Sequence, residues 1–92
     1  MSKIKKIYGT NGAYGSYLFK AKFQDAGNDG KYINILDEEN ESKIVCTLHK
    51  SKYPTRDIIF WEQPISEIKP YEMANILEVW DNFDFYFNNL NQ

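Results

Sequence analysis

This 92-residue chain has one cysteine, one histidine, one arginine and three prolines, and each scarcity closes a route. A lone Cys46 makes no internal bridge, which excludes a disulfide scaffold and leaves a reducing compartment, the cytoplasm, as the expected location. Cys46 and His49 supply two of the four ligands that a structural zinc site takes, so no metal is expected. No cofactor motif is present either. Apolar runs such as Ile58 to Trp61 fall far short of the roughly 20 residues a membrane helix needs, and Met1 to Lys6 leads into a strand, so no membrane role is expected. Without a linker, a repeat or a low-complexity tract, residues 1–92 read as one compact domain.

Aromatic residues are abundant instead, at 16% with seven Tyr, six Phe and two Trp. Met73, Ile76, Trp80, Phe83, Phe87 and Leu90 recur in steps of three and four, which predicts a helix over about 70–89 with one apolar stripe. Pro70 suits its first turn, where a missing N–H costs nothing. Phe83, Phe85 and Phe87 also alternate, as a short strand would, but the longer period favours an uninterrupted helix. Val79, Phe85 and Tyr86 then fall outside the stripe and form a second apolar face, suited either to edge packing against the sheet or to a partner or homodimer surface.

Earlier residues alternate with the period of strands. Ser16 to Phe23 sets Tyr17, Phe19, Ala21 and Phe23 on one face and Leu18, Lys20 and Lys22 on the other. Gly27-Asn28-Asp29-Gly30 supplies a turn into Tyr32 to Leu36, and a second turn at Asp37 to Ser42 leads into Ile44 to Leu48, with Ile44, Cys46 and Leu48 inward. Ile4 to Tyr8 and Asp57 to Trp61 add outer strands. The fold class expected is α+β: an antiparallel sheet of four to five strands over about 3–62, with one C-terminal helix packed on one face.

Net charge is −2, yet the successive blocks 1–22, 23–42, 43–56 and 57–92 carry +5, −5, +4 and −6. Such segregation either builds surfaces of opposite sign or lets neighbouring blocks pair across strands. Asp37, Glu38, Glu39 and Glu41 crowd one turn, and with Phe85 and Tyr86 they are the candidate partner-binding residues. They suit a protein partner with a basic surface. By analogy of size and charge, this is the profile of an acidic inhibitor or immunity-type factor of the kind that mobile elements and toxin systems use.

The alternative is a nucleic-acid-directed protein, a small RNase-like toxin or a single-strand binder. His49, Lys50, Lys52, Tyr53 and Arg56 would supply an acid, a base, a phosphate clamp and a stacking ring. A pI near 5.3 and a single arginine weigh against it, so nucleic acid is not the expected partner. Cys46 and His49 fall on opposite faces of a strand and make no nucleophile–base couple, so no catalytic residue is assigned. Gly9-Thr10-Asn11-Gly12-Ala13-Tyr14-Gly15 is similar to the glycine-rich loop of protein kinases, but the first spacing is Gly-x-x-Gly and neither His-Arg-Asp nor Asp-Phe-Gly follows. The run reads as a strand-to-strand turn.

Overall fold

In a computed structural model of the chain, residues 4–9, 17–53 and 56–90 are described; the glycine run beyond Gly9, Pro54 and the Leu90 side chain lie outside them. Five strands, β1 (Ile4–Tyr8), β2 (Tyr17–Asp25), β3 (Lys31–Leu36), β4 (Ile44–Lys50) and β5 (Ile58–Trp61), form one antiparallel meander in sequence order. Two helices follow, α1 (Pro70–Asp81) and α2 (Phe83–Leu90). The expected α+β class is therefore what the chain adopts, with all five strands present.

Turn chemistry sets the register. Gly27 and Gly30 take φ of 62° and 96°, which β-carbons disfavour, and Asp25 Oδ1 accepts the Gly27 N–H at 3.0 Å. A side chain at Gly30 would also run into the Lys50 carbonyl, so this turn packs directly on the end of β4. At the next turn Asp37 Oδ1 accepts the N–H groups of Glu39 and Asn40 at 2.9 and 3.1 Å.

Alternation then sorts the side chains. Ile7, Phe19, Ala21, Phe23, Ile33, Ile35, Cys46 and Leu48 face the helices and are buried, with Ile59 and Trp61 packed beside them. Ile76, Val79, Phe83, Tyr86 and Phe87 close that core from above. The helix stripe is thus wider than one three-four row: Val79 and Tyr86 are fully buried, because an arc of 100° or more admits the flanking positions. Of the three residues expected outside it, only Phe85 stays exposed.

The expected single helix is broken at Asn82, whose φ of −121° leaves the helical region. Its side-chain amide donates to the Glu78 carbonyl at 3.0 Å and to Glu78 Oε2 at 2.8 Å, competing with the backbone ladder. Residues 83–87 are helical, so the strand alternative is excluded. At the other end Pro70 opens α1 as expected, and Glu72 Oε1 accepts the Lys69 N–H at 3.1 Å. Two register shifts, between Ile7 and Tyr8 and between Ile35 and Leu36, each set one extra residue on the facing strand. The first pairs Tyr17 with Tyr8 and moves it out of the Phe19 row where alternation had placed it.

Candidate binding face

Both helices pack on one side of the sheet, and the other is left largely open, although Leu36, opposite Lys20 on it, is buried. Register places Gln24, Tyr32, His49 and Ile58 in one row across it, and Ile4, Lys22, Asn34, Thr47 and Phe60 in the next. Thr47 Oγ1 donates to Asn34 Oδ1 at 2.9 Å within the second row, which fixes the centre of the face. The exposed apolar groups lie at its two ends: Ile4, Tyr8 and Tyr17 at 40, 45 and 37% exposure, and Ile58 and Phe60 at 47 and 45%.

Aromatic contacts stiffen this surface. The His49 ring stacks on Tyr32, with centroids 4.4 Å apart and planes 5° from parallel, and Phe60 lies 6.2 Å beyond. His49 Nε2 sits 2.7 Å from the Asp29 carbonyl; that oxygen only accepts, so the nitrogen carries the proton and donates. The single histidine therefore ties β4 to the Gly27–Gly30 turn. Tyr8 and Tyr17 meet edge to face at 6.0 Å.

Between those tyrosines and the sheet lies a shallow concavity of about 490 Å³, lined by Lys6, Tyr8, Tyr17, Lys20 and Glu38. Lys6 stands directly opposite Lys20, a like-charge pair that an antiparallel ladder normally avoids. Glu41, 3.8 Å from Lys20, and Glu38 in the same concavity offset it. Partial burial and then the nearby Glu38 push the Tyr17 phenol pKa up, so Tyr17 presents an O–H donor. No family model, curated protein or solved structure matches this chain.

The residues singled out from the sequence are distributed unevenly. In the acidic turn, Asp37 is consumed in holding the turn and Glu41 pairs with Lys20, leaving Glu38, which lines the concavity, and Glu39 exposed. Tyr86 is a correction: its side chain is fully buried and its hydroxyl donates to Glu78 Oε2 at 3.0 Å, so it offers nothing to a partner. Phe85, packed edge to face on Tyr86, is 47% exposed on the helix side.

The basic group His49, Lys50, Lys52, Tyr53 and Arg56 does not converge either. β4 extends through Lys50, so His49 and Lys50 point to opposite faces. Lys50 reaches to 4.0 Å from the Trp80 ring centroid and 3.6 Å from Asp57, on the helix side. Arg56 lies over Tyr53 at 5.4 Å in the loop. An acid, a base and a phosphate clamp are therefore not assembled at one place.

Cys46 is wholly buried under the helices, and that burial pushes its thiol up to about 12, away from any nucleophilic role. Among the described residues no group of three or more Cys, His, Asp or Glu could hold a metal ion. No described helix is long and apolar enough to cross a membrane.

Tyr8, Lys6, Ile58 and Phe60 drew no attention as site residues in the sequence. The available signal was that both parities of the strands are apolar: Ile59 and Trp61 go inward, while Ile58 and Phe60, their immediate neighbours, go outward.

Proposed function

We propose that this chain is a non-enzymatic binding module that docks another protein on the uncovered face of its sheet. One observation carries the reading. An antiparallel sheet with one packed face ordinarily turns polar side chains to water, whereas Ile4, Tyr8, Tyr17, Ile58 and Phe60 stand exposed on this one. Scattered surface apolar groups need no explanation, but a set gathered on one rigid face does.

Charge around the face sets the partner's chemistry. Glu38 calls for a basic group, Lys6 and Lys22 for carboxylates, and the exposed apolar residues at the two ends for apolar groups flanking a polar centre. A small chain that occupies such a surface by shape and charge, with no chemistry of its own, acts as an inhibitor or immunity-type factor does. Single-stranded nucleic acid is the weaker occupant: the His49 ring is held between Tyr32 and Phe60, which takes its faces from bases.

Comparative capture from the native host tests the reading. Wild type, Ile58→Ser/Phe60→Ser, Tyr8→Ser and a helix-side control, Tyr71→Ser, are compared on the same captured protein. The expected result is loss with the sheet-face variants and retention with the control. Retention by the sheet-face variants overturns the proposal, as does salt-sensitive binding of an oligothymidine that Lys6→Glu abolishes.

A further inference from the structure

We infer that β5 is a self-pairing edge, which joins two copies of this chain antiparallel into one continuous ten-stranded sheet. The inference rests on the backbone of β5 and the charges that flank it, and is independent of what the sheet face binds.

The two edges of the sheet differ. β1 carries Lys5 and Lys6, charges of the kind that protect an edge from pairing. β5, Ile58-Ile59-Phe60-Trp61, carries no charge, no proline and no bulge. The Glu62 N–H donates to the Val45 carbonyl at 3.0 Å, and the pairing of β4 with β5 continues that register. By the antiparallel rule, Ile58, Phe60 and Glu62 then direct their N–H and C=O groups toward β4. Ile59 and Trp61 direct theirs outward, where among the described residues no backbone group meets them.

A two-fold axis perpendicular to the sheet pairs only residues that project to the same side. Centred on Ile59, it sets Ile59 against its own copy and Trp61 against the copy of Asp57, so each outward-facing backbone group finds a partner. On the uncovered face it then sets Ile58 against the copy of Phe60, side chains that are about half exposed in the single chain. Beyond the strand, Arg56, in the turn that leads into β5, comes to the same end as the copy of Glu62, and both are exposed. Centring the axis on Phe60 instead would put Glu62 against Ile58 and leave Arg56 without a carboxylate. Charge thus selects the first register, and two symmetric Arg56–Glu62 pairs close the dimer. The lysine-bearing β1 edges are left outermost, so pairing stops at two copies.

A four-residue edge makes a weak dimer, to be read by sedimentation from about 10 µM to about 1 mM. Wild type is expected to shift from 10.9 kDa toward twice that mass across this range. Arg56→Glu and Glu62→Arg each place like charges in both pairs and are expected to weaken association by roughly tenfold or more. The double variant restores it. Amide exchange gives a second readout: Ile59 and Trp61 slow with concentration, while Ile58 and Phe60, already bonded to β4, do not change. A chain that stays monomeric throughout, a dimer indifferent to both reversals, a double variant without rescue, or exchange at Ile59 independent of concentration would each overturn the inference.

Discussion

The two faces of this sheet are made of alternate residues of the same strands, yet one is sealed by helices and the other is left open with aromatic and aliphatic groups on it. On β5 the contrast falls between neighbours, with Ile59 and Trp61 packed on the core and Ile58 and Phe60 facing water. Burial removes apolar area from water and stabilises the fold. Apart from Leu36, the open face gains little of that, and its exposed apolar groups contribute free energy only when something covers them. Residues of the same type should therefore differ sharply in what their removal does.

The largest difference is expected at phenylalanine. Phe83 is buried, stacks on Phe87 at 5.8 Å and meets Trp80 edge to face. Phe83→Ala should cost roughly 3 to 5 kcal/mol in a urea melt. For a 92-residue chain that is a large share of a typical stability of about 5 to 14 kcal/mol. A loss below about 1 kcal/mol would mean that the helix layer does not seal the core.

Cys46 probes the sealed face chemically. Its thiol should resist alkylation in the folded protein at pH 8 and react at the rate of unfolding. Because the unfolded thiol ionises near its ordinary value of 9.0 while the folded one holds its proton to about 12, stability should fall as pH rises through that interval. Below it this group has no effect on stability. Rapid labelling under native conditions would contradict the burial.

Removing a tyrosine hydroxyl sharpens the comparison. Tyr86→Phe deletes the bond to Glu78 that spans the helix break, and about 1 kcal/mol should be lost. Tyr17→Phe, on the open face, should change stability by less than about 0.5 kcal/mol. Equal losses in thermal melts would erase the distinction between the two faces.

Much of the covered face was legible beforehand because one period governs it. Alternation found Phe19, Ala21 and Phe23 of β2 and Cys46 and Leu48 of β4, though the shift at Ile35 and Leu36 turns Ile44, expected inward, to the other face; glycines with asparagine and aspartate marked the first turn, and Pro70 marked the start of α1. The misses come from local chemistry that a periodicity does not record. Asn82 ends α1 through two side-chain bonds to Glu78, and the shift at Ile7 and Tyr8 carries Tyr17 out of its expected row. The site was harder to see. The count of carboxylates at 37–41 was plain, but not that Asp37 and Glu41 are already occupied. The basic run 49–56 looked continuous because the extension of β4 through Lys50, which separates His49 from Lys50, has no strong sequence mark. The open face was hidden because adjacent apolar residues read as one buried run, although on a strand they must part to opposite sides.

Phe60 offers the most direct test of the central claim that the open face is kept for binding. Phe60→Ser should leave the melting temperature within about 4 °C of wild type, the shift that a loss below about 1 kcal/mol produces. The same variant should lose most of its affinity for the captured partner in a calorimetric titration. A variant that binds as wild type does, or one that loses binding only because it has unfolded, would contradict the account.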